Sequence, residues 1–316
     1  MITVDRVSEN NPLGDYLRAR REQVRPGEVG LPGGSTRRVP GLRREEVALL
    51  AGISSDYYLR LEQGRDRNPS TQVLEAIGRV LLLDATAVDH LLSLGTPRPA
   101  RRRARRETVP IGTRQLIDVL ALPAFVEGRY FDVLAANRLA GAVSPSLVEG
   151  RNRLRALFLD PAEQDLYPEW ELATENLVAG FRTSVGTEID DPSVVRLVGE
   201  LSLGSDRFRA LWARHDVRAL AGGTLRLTHP EVGELTLRRE KLAIGGTAGQ
   251  MLVIYHAEPG SPSAEKLAIL ASLASMPGGP EPVGAPEPAG GPEHAGGQAT
   301  DERGEPAEVE AGDPFA

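Results

Sequence analysis

The run GLRREEVALLAGISSDYYLRLEQG at residues 41–64 constrains the fold more than any other stretch of the chain. It reads as two short helices joined by a tight turn. Ala48 and Gly52 are small residues about one helical turn apart, which lets a second helix cross closely. Gly52 also suits a turn where a side chain is costly. Ile53 plugs the gap between the helices, and Ser54 caps the second one through its hydroxyl. Tyr57, Tyr58 and Leu61 give that second helix an apolar face, while Ser55, Asp56 and Arg60 stay polar. A helix-turn-helix places such a helix in the major groove of duplex DNA. An ordinary helical hairpin inside a larger bundle is the alternative.

The motif sits in a locally basic region. The whole chain of 316 residues carries a net charge of −7, but residues 1–106 hold 19 Arg against 13 acids, a balance of +6. Residues 277–316 hold one Arg against nine acids, together with eight Pro and nine Gly. Nucleic-acid affinity follows local basic surface, so the first third matters and the total does not. The acidic tail cannot bury enough apolar surface to offset its chain entropy and is expected to be disordered. The chain has no cysteine, which excludes disulfides and thiolate metal sites. It has no apolar run of the ~20 residues that span a bilayer, and Met1 to Pro12 lack a signal pattern. A cytoplasmic protein without membrane insertion is expected.

Upstream, Leu13, Leu17 and Val24 mark a first helix with Arg18, Arg20 and Arg21 on its other faces. A long Gly/Pro loop follows over residues 25–41 and includes Arg37 and Arg38; it either grips phosphate or is merely solvated. Downstream, Ser70 or Thr71 caps a helix from Gln72 to Leu83, and a fifth helix spans Ala85 to Leu94. The segment PRPARRRARR at residues 97–106 reads as an extended linker. It is a plain hinge or an arm with a phosphate or minor-groove contact. The expected domains are therefore 1–96, a linker at 97–110, a second domain at 111–275, and the tail at 276–316.

The stretch from Leu13 to Gly64 resembles the XRE (Cro-type) regulators, and within them the subgroup typified by the MmyB-like regulators. The resemblance rests on the arginine-rich loop, on PGLRREEVA at Pro40 to Ala48, and on YYLRLEQGR at Tyr57 to Arg65. It implies a five-helix domain that binds duplex DNA as a homodimer. Arg43, Arg44, Ser54, Ser55, Asp56, Tyr57 and Arg60 are its candidate contacts, with Arg37, Arg38 and Arg65 as phosphate contacts. Arg44 falls where XRE relatives often place a DNA-contacting glutamine, so both a register-holding and a base-reading role stay open.

The second half reads as helices packed on an antiparallel sheet, an α+β module. Paired strands are expected around Gly128 within Ala124 to Asn137, then helices at Arg114–Leu120, Arg151–Phe158, Trp170–Val185 and Pro192–His215. Strands are expected at Gly223–His229, Glu234–Arg239 and Gln250–His256, and a last helix at Pro262–Leu273. This half is similar to the MmyB-like ligand-binding domain at Asn152 to Pro161, Glu169 to Glu171, Ser205 to Val217, His229 to Leu235 and Tyr255 to Ser263. Glu163-Gln164 stands where many members have Ala-Arg. The resemblance implies a PAS-like fold that in some relatives holds a long-chain fatty acid. An apolar pocket with a polar mouth suits such a ligand. The candidate residues are Phe181, Phe208 and Trp212 for the chain, and Arg182, Arg214, His215 and His229 for a carboxylate; the aromatic ones could equally be plain core.

No Gly-x-Ser-x-Gly elbow, phosphate-cradling glycine loop or cysteine nucleophile is present, so no catalytic residue is expected. The turn HPEVGE at His229 to Glu234 supplies too few ligands for a metal site, and no cofactor is expected beyond the possible fatty acid. His215-Asp216 is explained as well by a histidine bonded at a helix end as by a catalytic pair. Two functions follow: a DNA-binding regulator that senses a small apolar or amphipathic ligand, or one whose second half is a dimerisation and protein-interaction module.

Overall fold

The computed structural model describes residues 11–32, 39–66, 68–96, 107–219 and 222–275. Arg37, Arg38, the arginine-rich segment 97–106 and the acidic tail lie outside the described residues.

Five helices open the chain: α1 (Pro12–Gln23), α2 (Arg44–Ala51), α3 (Ser55–Glu62), α4 (Thr71–Val80) and α5 (Ala85–Gly95). Side-chain oxygens of Asn11, Ser54, Ser70 and Asp84 accept backbone N–H bonds in the first turns of α1, α3, α4 and α5. Each cap satisfies a donor that the helix itself cannot reach. Gly52 ends α2 at φ 70°, in the left-handed region. A Cβ there would meet nothing within 4 Å. Gly52 therefore serves the backbone turn and not the close helix crossing expected from its size. Tyr16 and Leu17 of α1, Tyr58 and Leu61 of α3, Ile77 of α4 and Leu91 of α5 fill one core.

The second part begins with α6 (Ile111–Val119), β1 (Ala124–Glu127), β2 (Val133–Ala136), α7 (Arg138–Val143), α8 (Arg153–Leu159) and the short α9 (Pro161–Gln164). Then come α10 (Trp170–Val185), α11 (Pro192–Gly204), α12 (Asp206–Ala213), β3 (Gly223–His229), β4 (Gly233–Ala243), β5 (Met251–His256) and α13 (Pro262–Ser275). The strands form one antiparallel sheet in the order β2-β1-β5-β4-β3, so this part is the α+β module expected. Several helix ends shift slightly from the sequence reading, as in α4, which ends at Val80, and α6, which starts at Ile111, and two differences are larger. The single helix expected over Pro192–His215 breaks at Ser205, whose Oγ accepts the Phe208 N–H at 3.2 Å and starts α12 afresh. Strand β4 runs four residues past Arg239 because Lys241 and Leu242 pair with Val253 and Leu252 of β5.

Side chains alternate across a strand, and one face of the sheet packs Phe125, Leu237, Val253 and Tyr255 against Leu267 and Leu270 of α13. The opposite face carries Val126 and Leu252 under Ile117 of α6. A separate aromatic core lies among α8, α10, α11 and α12, where Phe158, Phe181 and Phe208 are buried.

Both parts belong to one compact unit and meet along α1. Arg20 Nη1 donates to Asp216 Oδ1 at 2.7 Å, and Gln23 Nε2 donates to the Arg214 carbonyl at 2.6 Å. The Tyr16 ring lies edge-on to His90 of α5 and to His215, with centroids at 5.1 and 6.4 Å. Burial, and then the charge of Arg182, push the His90 pKa down to about 4. Burial and Arg182, with His90 and Arg20, push that of His215 down to about 3.

Both rings are therefore neutral when folded, whereas an exposed histidine takes up a proton near pH 6.5. The unfolded chain binds more protons below that pH, so stability is full above about pH 6.5 and falls as pH falls toward about 4. The expected loss is on the order of 1 kcal/mol per ring at pH 5.5. Thermal melts between pH 7 and pH 5 check this: His90→Gln with His215→Asn should flatten the slope, and an unchanged slope would show that these rings do not control it.

Candidate functional site

The helix-turn-helix is held by one buried carboxylate. Glu62, at the end of α3, is 1% exposed. It accepts from Arg21 Nε of α1 at 2.7 Å and from Arg44 Nε of α2 at 2.5 Å. Arg21 also donates to the Leu42 carbonyl at 2.9 Å. A carboxylate stripped of water is tolerated only when it is paired and hydrogen-bonded, and here the pairing joins three helices. Around it, Ser55, Asp56 and Arg60 lie exposed along α3. Arg60 donates to Asp56 at 2.7 Å, one turn back, and its guanidinium lies over the Tyr57 ring at 5.7 Å. Ser54 spends its Oγ on the Tyr57 N–H at 3.1 Å, Arg43 is exposed at the start of α2, and Arg65 is exposed just after α3. The structure thus gathers Arg44, Ser55, Asp56 and Arg60 around one short helix. Arg44 is tethered at Nε, with nearly half of its side chain still exposed.

In the second part, a cavity of about 120 Å³ lies between the sheet and α8, α9 and α10. Phe131, Leu157, Tyr167, Ala173 and Leu177 form its apolar wall. Its other wall is charged. Arg239 and Lys241 continue the inward-facing alternation of Leu235 and Leu237 along β4 and line the cavity with Arg153 and Glu163. Glu127, at the end of β1, is fully buried and accepts from both Arg153 and Lys241. Burial pushes its pKa up, but the two cations outweigh burial and hold it below the usual carboxylate range. Glu163 is held instead by neutral donors: Ser144 Oγ at 2.7 Å, Ser146 Oγ at 2.9 Å and the Tyr167 hydroxyl at 3.3 Å. Arg239 has no acidic partner among the described residues, and its Nε is buried without a hydrogen bond. Arg226, also at the cavity, pairs with Glu169 at 3.3 Å, so four cations face three carboxylates and one positive charge is in excess, which an anion would pair with.

Comparison with protein families settles what the two parts are. A helix-turn-helix domain model matches residues 12–91, and the MmyB-like transcription regulator ligand binding domain matches residues 109–270, more than half of the chain. The chain belongs to the MmyB-like transcription regulators. A comparison with curated proteins gives no match. Both matched domains are regulatory, one for DNA and one for a ligand, and no described helix is long and apolar enough to cross a membrane.

In this MmyB-like regulator none of the seven residues suggested by sequence for the ligand lines this cavity, although Phe181 packs on Phe131 of its wall. Phe181 and Phe208 are fully buried between helices. Trp212 stacks on Phe208 and lies under the Arg182 guanidinium, 3.8 Å from the ring centroid. Arg182 donates to the Trp212 carbonyl and meets His215 Nδ1 at 3.3 Å. Arg214 pairs with Glu175 at 3.2 Å and Asp216 at 2.8 Å. His229 uses both ring nitrogens: Nδ1 accepts the Glu231 N–H at 3.2 Å, so Nε2 donates to the Ala142 carbonyl at 2.8 Å. That leaves no lone pair for a metal or a proton for a carboxylate. The cavity's charged wall lies on β4, outside the aromatic helix positions that the sequence pattern marks. Its signal was the alternation Leu235, Leu237, Arg239, Lys241, which puts two cations on an inward face.

The tether on Arg44 separates it from Arg60. Replacing Arg60 with Ala is expected to leave the thermal midpoint nearly unchanged and to cost about 1–3 kcal/mol of discrimination between a selected and a random duplex. Replacing Arg44 with Ala should lower stability by about 1 kcal/mol, because buried Glu62 loses one of its two partners. Melting curves and binding isotherms on both duplexes check the contrast. Equal effects of the two changes on stability would show that Glu62 does not depend on Arg44.

Proposed function

We propose that this regulator binds specific duplex sites as a homodimer through Ser55, Asp56, Arg60, Arg43 and Arg44, and responds to a small amphipathic anion held in the sheet-side cavity. The carrying observation is Arg239, a cation without an acidic partner among the described residues, set opposite an apolar wall formed by α8 and α10. A carboxylate completes that arrangement, because it supplies the missing charge while its carbon chain lies along Ala173 and Leu177. A cavity of about 150 Å³ takes a benzene-sized guest, so the enclosed space of about 120 Å³ fits a group of similar size. A longer fatty acid extends past Leu172, which also borders the open depression beside Trp170. Homodimer formation is supported by Ile111, Leu116 and Val119, which leave a run of apolar surface on α6. A chain that sediments as a monomer when bound to its duplex would remove that part of the proposal.

The ligand reading is tested with delipidated full-length protein and straight-chain fatty acids from butyrate to myristate. Trp170 lies beside the cavity mouth, so indole fluorescence and calorimetry should report the same binding. Each buried methylene contributes about 0.8 kcal/mol, close to fourfold in affinity. Affinity should therefore climb over the first members of the series and level off once the enclosed space is filled, and Arg239→Gln should weaken every member. Folded protein that binds none of the series would favour the interaction-module reading of the second half.

A further inference from the structure

The helix α10 touches both the cavity and the contact with the DNA-binding part. Ala173, Asn176, Leu177 and Gly180 line the cavity. Near the end of the same helix, Arg182 turns to the Trp212 carbonyl and His215 Nδ1. The next residue, Asp216, accepts from Arg20 of α1 at 2.7 Å, and Gln23 of α1 donates to the Arg214 carbonyl beside it.

Three unfavourable features gather at this seam. Arg182 is 4% exposed and, among the described residues, has no acidic partner within ion-pair distance, and its Nε is buried without a hydrogen bond. Arg20 Nε is likewise buried and unbonded. His215 adopts φ 55° one residue past Arg214, the C-cap of α12, a left-handed conformation that favours glycine and that histidine adopts at a smaller cost than most side chains. Buried polar groups are nearly always satisfied, so two orphaned guanidinium nitrogens within one contact call for an explanation. A small displacement that admits water to the seam would give both guanidinium nitrogens a partner.

We propose that α10 transmits occupancy of the cavity to the DNA-binding part. Filling the cavity shifts α10, Arg182 loosens its hold on the segment around His215, and the latch formed by Arg20 with Asp216 and by Gln23 with the Arg214 carbonyl opens. The residue after Arg20 is Arg21, which grips Glu62 at the end of α3, so α1 joins the latch to the recognition helix. Ser55, Asp56 and Arg60 are exposed while the latch is closed. The latch therefore governs how firmly the recognition helix is positioned and not whether DNA can reach it. This inference rests on the ligand-responsive reading above, and the ligand enters only through its preference for the open state.

The test uses the full-length protein, hydrogen exchange, and a duplex selected from a random pool. Ala173→Met fills the cavity without any ligand, and Asp216→Asn breaks the latch directly. Both should raise exchange in residues 13–23 at least fivefold, and octanoate should do the same to the wild-type protein. Asp216→Asn should bind octanoate within threefold of the wild type, yet its duplex affinity should no longer respond to octanoate. If Ala173→Met lowers the melting midpoint strongly, Leu177→Phe serves as the second filling variant. Unchanged exchange in both filling variants would overturn the proposal, as would a full octanoate effect on duplex binding by Asp216→Asn. Opening by a filling variant in a protein that binds no octanoate would support the transmission and count against the fatty-acid reading alone.

Discussion

Charge placed out of reach of water is costly, and this chain places it there repeatedly. Each burial is resolved differently, and the differences organise the molecule. Glu62 is neutralised by two arginines from other helices, which locks α1, α2 and α3 into a helix-turn-helix. Glu127 lies between Arg153 and Lys241, which ties β1 to α8 and β4. Removing a buried member such as Arg21 or Lys241 leaves the others uncompensated, at a cost of about 3–5 kcal/mol, whereas the half-exposed Arg44 contributes less. Those two groups are structural because their charges are matched. Arg239 and Arg182 are not matched among the described residues, and they are where the proposals for binding and for transmission rest.

Much of the fold was legible because its determinants are local. The caps at Ser54 and Ser70, the left-handed Gly52 and the apolar stripe of α4 follow from neighbours within a few residues. The bounds of α10 agree with those read from its apolar pattern. The apolar periodicity of Leu197, Leu201, Phe208 and Leu211 continues across the break at Ser205 and masks it, although Gly204-Ser205-Asp206 is a stop followed by a fresh cap. The end of β4 was missed because Arg239 and Lys241 look like solvent-facing residues until the alternation is carried through them.

The candidate sites divide in the same way. The recognition helix is a contiguous motif, and its exposed side chains can be named without knowing the fold. The cavity is assembled from β4, α8, α9 and α10, which lie as many as 88 residues apart between Arg153 and Lys241. Which helix covers which part of a sheet is a long-range property, so the charged face of β4 carries no local mark of the helices above it. Phe181, Phe208 and Trp212 pack on one another and on Arg182, so their size serves the helical core and the seam.

In the proposed mechanism the two halves of the chain are parts of one equilibrium. A ligand can alter DNA binding only through different affinity for two states, and linkage requires that DNA alter ligand affinity by the same factor. Octanoate affinity should therefore be measured calorimetrically on the full-length protein, first free and then saturated with its selected duplex. A ratio of about fivefold or more, equal to the ratio of duplex affinities with and without octanoate, is the predicted result. Identical octanoate affinities in the two titrations would contradict it.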